Sequence, residues 1–362
     1  MGTLSENSDS MFLEGVPKNH PKNYLKLCQK EIDLIKGGIT NFMEIPIELR
    51  NLIESELEKS SLKDLQKNAE NISLKYREKS GKGERLVTEN IEALSYSAVR
   101  MPATYSAVYT ALKKVEEIYN TKIETVLDVG AGTGAGSWAI NSVLDVNQII
   151  CLEREDAMRN LGEFFMKNSD DIILQNAKWE KFDLLISEID YKADLVICSY
   201  VLNELSESNR MLALNKLWKA TNKVLLIIEP GTPVGFGEIK IIRKKLMEYG
   251  GSIIAPCPNI NECPMAENDW CHATCRVSRT KIHKLLKNGD VPYEDEKFSY
   301  IAVSKEAFEK EDFSRVLRHP KIESGKITLQ VCSKDGIGEK VVTKKDKDLF
   351  KVARKASCGD AF

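Results

Sequence analysis

Residues 125–134 read Thr-Val-Leu-Asp-Val-Gly-Ala-Gly-Thr-Gly, and they carry the clearest signal of how the chain folds. The apolar, β-branched first half predicts a buried strand. Gly130, Gly132 and Gly134 then predict a sharp turn, because glycine allows backbone conformations and close approaches that a Cβ prevents. Residues 137–144 continue with helical spacing, and the unpaired N–H groups of a helix N-terminus suit a polar ligand. The segment therefore predicts a strand, a ligand-binding turn and a helix.

The same pattern repeats around that segment between residues 119 and 254. β-branched runs predict strands, and the amphipathic stretches between them predict helices. The strand candidates are 125–129, 148–152, 171–174, 194–199 and 224–228. The helix candidates are 137–144, 154–167, 207–221 and 237–249. This alternation is typical of βαβ units, so the predicted fold class is α/β with a parallel sheet.

The rest of the chain divides by composition. Residues 21–118 have apolar positions at helical spacing and no strand-like run, so they predict a helical domain before the Rossmann-like domain at 119–254. The other predicted segments are a flexible N-terminus at 1–20, a Cys-rich metal-binding insertion at 255–290, C-terminal strands completing the sheet at 291–340, and a basic tail at 341–362. Within 291–340 the strand candidates are 298–303 and 327–332.

Composition limits the classes of function that fit this chain. Charged residues make up 29% and the formal net charge is −2, so any contact with RNA would come from local patches. A run of about 20 apolar residues, the length that spans a bilayer, is absent. The first 15 residues are polar and lack Arg, unlike a secretory or mitochondrial signal. We therefore expect a cytoplasmic monomer with no membrane partner.

The glycine turn is not a dinucleotide-binding turn, because its third glycine comes too early for the spacing G-x-G-x-x-G. The pattern acid-x-G-x-G-x-G after a first strand resembles the first motif of class I S-adenosylmethionine methyltransferases. Glu153 ends the second strand, where a carboxylate can accept both ribose hydroxyls, and Ser199 ends the fourth. The predicted S-adenosylmethionine-binding residues are Asp128, Gly130, Gly132, Gly134, Glu153 and Ser199. The alternative is a turn that only joins a strand to a helix.

Four of the nine cysteines fall within nineteen residues, at Cys257, Cys263, Cys271 and Cys275. Clustered thiolates bind soft metals, and four of them suit tetrahedral zinc or an iron–sulfur cluster. The spacing lacks the paired C-x2-C hooks of zinc ribbons, and its wider gaps favour a bulkier iron–sulfur cluster. Proline follows two of these cysteines, as it follows a ligand cysteine in bacterial ferredoxins. The residues alone leave three candidates for the fourth ligand, namely Cys275, Cys332 and His272.

A basic stretch follows the cysteines and includes Arg276, Arg279, Lys281 and Lys284. From charge alone, a solvated helix face is the plainer interpretation. Beside a rigid cluster, the same side chains become candidates for binding RNA phosphates.

Several segments together resemble the Rsm-type methyltransferase-like family of the mitochondrial small ribosomal subunit. The resemblance covers about residues 85–335 and lies in residues 96–105, the glycine turn, the Glu-Pro-Gly-Thr-Pro of 229–233, and the cysteine stretch with Asp-Trp-Cys-His at 269–272. Mitochondrial members of this family are tied to assembly of the small ribosomal subunit, and bacterial and archaeal members are described as rRNA methyltransferases. The resemblance implies a bacterial or archaeal-type member with a methyltransferase fold, a helical N-terminal domain and a 4Fe-4S cluster. Its implied partner is small-subunit rRNA or a subunit precursor.

The resemblance implies that the cluster ligands are Cys257, Cys263, Cys271 and Cys332. Cys275 stands where the family has a residue other than cysteine. No catalytic residue is identified, because residues 199–202 read Ser-Tyr-Val-Leu and lack the polar clamp used to methylate exocyclic amines. Three functions stay open, and two of them involve rRNA, namely an S-adenosylmethionine-dependent rRNA methyltransferase and a non-catalytic rRNA-binding assembly factor. A small-molecule methyltransferase with structural zinc is the third.

Overall fold

The computed structural model of the 362-residue chain describes residues 42–79, 85–259, 261–287, 289–308 and 310–362. The predicted flexible segment 1–20 and the first part of the predicted helical domain, 21–41, lie outside these residues. In the described part of the chain, no helix is long and apolar enough to cross a bilayer.

The described residues form helices and strands in an order that alternates from residue 125 to residue 255. The helices are α1 Ile47–Leu57, α2 Leu62–Lys79, α3 Asn90–Val99, α4 Met101–Ile118, α5 Ala135–Val143, α6 Asp156–Lys167, α7 Ile172–Gln175, α8 Glu207–Ala220, α9 Pro233–Glu248, α10 Lys281–Lys287 and α11 Lys347–Lys355. The strands are β1 Thr125–Val129, β2 Gln148–Glu153, β3 Lys178–Lys181, β4 Ala193–Ser199, β5 Thr221–Pro230, β6 Ser252–Ala255, β7 Ala273–Ser278, β8 Tyr293–Ser304, β9 Arg315–Val316, β10 Lys321–Glu323, β11 Lys326–Ser333 and β12 Gly336–Thr343.

The larger sheet has the strand order β3-β2-β1-β4-β5-β8-β6, and β7 pairs with the first half of β8. Strands β1 to β5 run parallel, so that Leu127 of β1 lies opposite Ile150 of β2 and Val196 of β4. Strand β8 runs antiparallel to both β5 and β6. Five parallel strands closed by an antiparallel strand form the Rossmann-like sheet of class I S-adenosylmethionine methyltransferases, so this α/β part of the predicted fold class is confirmed.

Helices cover both faces of this sheet. Successive residues of a strand face opposite sides, so Val126 packs with α4 and α5 while Leu127 packs with α8 and α9. Burial on both faces explains why these strands are nearly continuous apolar runs. The polar groups of the sheet are consequently concentrated at the strand ends.

The helices before β1 are tied to the sheet by long-range hydrogen bonds. The Met43 amide donates to the carbonyl of Arg276 at 2.6 Å, and the Ser278 amide donates to the carbonyl of Met43 at 2.9 Å. Gln66 Nε2 on α2 donates to the carbonyl of Leu285 on α10 at 3.0 Å. Helices α1 to α4 therefore build one wall of the molecule together with the cysteine-rich insertion.

The third strand lies later than the sequence predicted. Residues 171–174, predicted as a strand, instead start helix α7, because the Asp171 carboxylate caps the helix by accepting the Ile173 amide at 2.9 Å. The strand is β3, four residues reading Lys-Trp-Glu-Lys at the sheet edge. A short apolar run cannot distinguish helix from strand, and this edge strand has no apolar run to reveal it.

Only one of the two predicted C-terminal strands completes the first sheet, and the other belongs to a second sheet. Residues 298–303 join the larger sheet within β8, but 327–332 lie in β11, which pairs with β9, β10 and β12. Strands β11 and β12 form a hairpin whose pairing ends at Ser333 and Gly336, with a two-residue turn between them. The backbone groups of β11 therefore find their hydrogen-bond partners on the neighbouring strand in sequence and not in the larger sheet. The predicted basic tail 341–362 begins inside β12 and contains α11, whose Ala353 is buried against this sheet.

Candidate functional site

A cavity of about 240 Å³ opens at the carboxyl ends of the parallel strands, the place where open α/β sheets bind ligands. Its wall combines the glycine turn after β1, the end of β2 and the loop after β4. Its lining residues include Arg100, Gly130, Gly132, Glu153, Ser199, Tyr200 and Glu204. Four of the six residues predicted to bind S-adenosylmethionine therefore lie in one cavity.

Gly130 brings the turn close to the opposite loop. Its φ of +73° is one that side chains rarely adopt, and a Cβ there would lie 2.3 Å from Val201 Cγ2. Gly132 has a φ of +58° and donates its amide to Glu153 Oε2 at 2.8 Å. The turn thus presents bare backbone to the cavity.

Asp128 and Gly134 support the turn from outside the cavity, which differs from their predicted contact with cofactor. The buried Asp128 carboxylate accepts Ser137 Oγ at 2.8 Å, and burial raises its pKa to about 6 although hydrogen bonds from Ser137 lower it. Gly134 begins α5, where a Cβ would lie 2.7 Å from Met166 Cε. Both residues hold the first turn of α5 in place.

Glu153 is the carboxylate best placed for a ligand. Its Oε1 accepts the Glu155 amide at 2.8 Å and its Oε2 accepts the Gly132 amide at 2.8 Å. Burial nevertheless raises its pKa above the usual value, against the lowering effect of those amides. Each carboxylate oxygen can accept a second hydrogen bond, so the pair can still hold two hydroxyls of a ribose.

Tyr200 was missed at the sequence level. It has a φ of 58° without being glycine, and its hydroxyl donates to Glu296 Oε1 at 2.8 Å. Non-glycine residues in this region cost about 1–3 kcal/mol and concentrate at functional sites. The loop after β4 is therefore held in a strained form that places an aromatic ring on the cavity wall.

Glu204, on the same loop, was also not selected from the sequence. Burial raises its pKa to about 7, with Arg154 lowering it and Glu153 raising it. A carboxyl group that titrates near neutral pH can both accept and donate a proton.

Glu229 lies fully buried behind this loop, at the end of β5. Its Oε1 accepts the Leu202 amide at 3.0 Å, while its Oε2 has no partner among the described residues. Burial and the nearby Glu238 raise its pKa well above the usual range. Glu229 is thus a protonated support of the cavity wall.

We expect Glu229→Gln to make stability less dependent on pH. The folded chain keeps a proton on Glu229 that the unfolded chain releases above about pH 4.3, so this contribution is complete below that pH and is lost as pH rises toward the raised pKa. Glutamine cannot ionise, so the free energy of unfolding of the variant should fall less as pH rises from about 5 toward the raised pKa of Glu229, by at most about 1.4 kcal/mol per pH unit. Denaturant unfolding across that range measures it, and parallel curves for both proteins would contradict the assignment.

A second cavity, of about 50 Å³, lies between α9, β11 and the loop after β6. A single water needs only about 10–15 Å³, so this space admits a group of several atoms. Four cysteines line it, Cys257, Cys263, Cys271 and Cys332. The structure brings together the four residues that the family resemblance implied as cluster ligands.

The two other candidates for the fourth ligand lie differently. Cys275 is buried on β7 in the core beside α4, and its thiol hydrogen-bonds with Thr110. His272 lines the cysteine cavity, and its buried Nδ1 has no partner among the described residues. Burial lowers the pKa of His272 to about 4, so its ring is neutral at physiological pH.

Unpaired hydrogen-bond donors surround the cysteine cavity. Arg243 Nε, Arg315 Nη2 and the Tyr300 hydroxyl are buried without a partner in the described part of the chain, and all three residues line the cavity. Arg315 Nε donates to the carbonyl of Pro256 at 2.8 Å, which aims it at the loop that carries Cys257. Buried donors of this kind call for an acceptor, so the wall suits an anionic group.

All four thiols border the same cavity. Among the residues that the structure describes, no three Cys, His, Asp or Glu side chains are grouped as the ligands of a single metal ion. Tetrahedral zinc with bonds of about 2.3 Å draws its sulfurs to about 3.8 Å from one another. An iron–sulfur cluster instead holds its thiolates at separate iron atoms.

The predicted phosphate-binding residues separate into two pairs. Arg276 forms a two-pronged ion pair with Asp295 at 2.7 and 2.9 Å, and Arg279 pairs with Glu294 at 2.9 Å. Lys281 is exposed and Lys284 half-exposed on α10. The two arginines therefore stabilise the β7–β8 hairpin, a role that sequence could not separate from phosphate binding.

One segment, residues 229–233, connects the two cavities. Pro230 lines the larger cavity, and the carbonyl of Gly231 accepts Trp270 Nε1 at 3.1 Å, next to Cys271. Thr232 then caps α9, its Oγ1 accepting the Gly235 amide at 3.1 Å, and α9 carries Arg243. The cavities share this one support.

Comparison with solved structures finds methyltransferases. A SAM-dependent methyltransferase from Aquifex aeolicus matches at 15% identity and a TM-score of 0.38, over 60% of this chain and 98% of that one. Magnesium protoporphyrin IX methyltransferase from Synechocystis PCC 6803, solved with bound SAH, matches at 15% identity and a TM-score of 0.37, over 62% and 90%.

Comparison with protein families and characterised proteins gives a consistent result. The family model described as "Mitochondrial small ribosomal subunit Rsm22" matches residues 90–362. The human "Ribosome assembly protein METTL17, mitochondrial" is 24% identical over 288 residues, 74% of this chain and 62% of that protein. The "Rsm22-cox11 tandem protein 2, mitochondrial" of Schizosaccharomyces pombe is 22% identical over 329 residues, 75% of this chain and 43% of that protein. The chain thus spans less than two thirds of the length of either relative.

Proposed function

Since the chain belongs to the Rsm22 family, we propose that it is an S-adenosylmethionine-binding assembly protein of the small ribosomal subunit that carries a 4Fe-4S cluster. The observation that carries this proposal is the pairing of two cavities, one at the glycine turn and one lined by four cysteines. The predicted cytoplasmic location and bacterial or archaeal type stay predictions, since the relatives named above are mitochondrial. The predicted monomeric state also stays a prediction.

The larger cavity has the chemistry that S-adenosylmethionine requires. Bound there, the cofactor would supply a methyl group on a cationic sulfonium. Glu153 would hold the ribose hydroxyls, and Gly130 and Gly132 would let the ligand approach bare backbone. The carboxylates Glu153, Glu155, Asp183 and Glu204 line the cavity and favour a ligand with positive charge.

The cysteine cavity suits a cluster better than zinc. A cube of iron and sulfide holds its four thiolates at separate corners, which agrees with four cysteines that are widely spaced in the sequence and line one cavity. The free donors of Arg243, Arg315 and Tyr300 would face the sulfides and thiolates. Hydrogen bonds to sulfur and buried positive charge stabilise such an anionic centre.

The proposed partner is small-subunit rRNA or a precursor of the subunit. The printed name of the human relative, a ribosome assembly protein, supports it. Lys281 and Lys284 on α10 stay the candidate phosphate contacts.

The proposal is tested on protein purified without oxygen. We expect iron and sulfide in about four equivalents each, absorbance near 400 nm, binding of S-adenosylmethionine by calorimetry, and co-sedimentation with isolated small subunits. A colourless protein that holds one zinc would refute the cluster, while failure to co-sediment would refute the ribosomal partner.

Methyl transfer to rRNA is the second candidate, and Glu204 favours it because its pKa of about 7 suits a general base. We expect Glu204→Gln to lower transfer of labelled methyl groups to small subunits about 100-fold while S-adenosylmethionine affinity changes less than about threefold. Glu207→Gln, an exposed change at the start of α8, is the matched control. If wild type transfers no methyl group to subunits that it binds, the assembly function stands alone.

A further inference from the structure

Arg100 stands at the junction of α3 and α4 and lines the larger cavity. Nearby Glu296 raises the pKa of its guanidinium against the lowering effect of burial, so the group stays charged. The glycine turn, Glu153 and the loop after β4 do not explain why a cation is placed there.

The acids near Arg100 accept hydrogen bonds from other groups. Glu296 accepts the Tyr200 hydroxyl at 2.8 Å, and Glu294 accepts Arg279 at 2.9 Å and Lys287 at 2.8 Å. Within the described part of the chain, the Arg100 guanidinium makes no hydrogen bond and no ion pair; the neighbouring charges act on it only from a distance. Its donors are therefore free on the cavity side.

A cation removed from bulk water without a partner is costly, and such groups are normally paired. Guanidinium offers two parallel N–H donors that match the two oxygens of a carboxylate or a phosphate. The carboxylates that raise the pKa of Arg100 are those of Glu296 and Glu294. Arg100 and Glu153 both line the larger cavity, so the cavity offers a cationic group as well as the carboxylate placed for the ribose.

We propose that Arg100 forms an oxyanion subsite of this cavity, completed by a bound ligand. This inference rests on the proposed function. Two sources share the required chemistry, the α-carboxylate of S-adenosylmethionine and a backbone phosphate of RNA. We place the cofactor carboxylate first, because the subsite lies in the same cavity as the glycine turn and Glu153.

Ligand truncation tests the subsite. Decarboxylated S-adenosylmethionine should bind wild type about 10- to 100-fold more weakly than S-adenosylmethionine, the range for a charge-assisted bidentate pair. In Arg100→Met the two ligands should bind within about threefold of each other. Methylthioadenosine, which lacks the whole amino-acid part, should bind both proteins equally. Calorimetry gives all six affinities.

Controls separate the possible outcomes. Arg85→Met removes an exposed arginine already paired with Glu155 at 3.2 Å and should keep the full carboxylate discrimination. Arg100→Lys keeps the charge and loses the paired donors, so it should show intermediate discrimination even where Arg100→Met fails to fold. Thermal unfolding of each variant monitors folding.

A second experiment measures how tightly wild type and Arg100→Met bind a short single-stranded RNA. If Arg100→Met weakens RNA binding at least about tenfold and leaves the carboxylate discrimination of wild type intact, phosphate is the ligand of the subsite. If neither ligand responds to the substitution, the inference is overturned. If wild type binds neither S-adenosylmethionine nor methylthioadenosine, the proposed cofactor function itself fails, a result distinct from lost discrimination.

Discussion

Replacing any one of the four cavity cysteines by serine is expected to remove the iron from the protein. The variants are Cys257→Ser, Cys263→Ser, Cys271→Ser and Cys332→Ser. A serine hydroxyl is a poor ligand for iron in a cluster held by thiolates, and a cluster with three ligands is labile. Iron and sulfide content should fall from about four to below about one per chain, with loss of absorbance near 400 nm.

Cys275→Ser is the matched control, because Cys275 belongs to the same stretch of sequence but is buried against α4, away from the cavity. It should keep full iron content. Full iron in Cys332→Ser together with loss in Cys275→Ser would show that the wrong fourth ligand has been assigned.

Gly130→Ala should abolish binding of S-adenosylmethionine, lowering affinity more than about 100-fold. The new Cβ would lie 2.3 Å from Val201 Cγ2, and the φ of +73° disfavours alanine independently of space. Relief of this contact requires the turn and the loop after β4 to separate, which displaces both walls of the cavity. Calorimetry with S-adenosylmethionine measures the loss.

Gly338→Ala is the control for that substitution. A Cβ at Gly338 meets nothing within 4 Å, and the residue is exposed on β12 of the second sheet. It should bind S-adenosylmethionine as wild type does. Unchanged affinity in Gly130→Ala, with a normal unfolding temperature, would place the cofactor elsewhere.

The larger sheet could be predicted because its physical signal is local. Parallel strands buried on both faces appear as apolar runs, and β1 to the glycine turn is the clearest example. Strand β3 could not be found because its Lys-Trp-Glu-Lys sequence belongs to an exposed edge. The second sheet could not be assigned either, since a strand pattern at 327–332 does not state which partner it pairs with.

The site shows the same division. Cysteine chemistry and proline spacing identified the stretch 257–271, and family resemblance was needed for Cys332, which reaches the cavity only through folding of β11. The positions of Arg100 and Tyr200 could not be read from local sequence, because both depend on Glu296 of β8, which bonds with Tyr200 and acts on Arg100 through its charge. Asp128 was predicted to bind the cofactor, but its carboxylate accepts a hydrogen bond from Ser137 and does not line the cavity.

The shared segment 229–233 gives the two cavities a physical connection through which binding at one could affect the other. Pro230 borders one, and Gly231 is fastened by Trp270 beside Cys271 of the other. If binding in one cavity changes the binding free energy of the other, then binding in the second cavity changes that of the first by the same amount, because linkage between binding equilibria is reciprocal. Loss of the proposed cluster from the cysteine cavity would then change the affinity of the larger cavity for a nucleoside ligand. Binding of that ligand would in turn change the stability of the cluster.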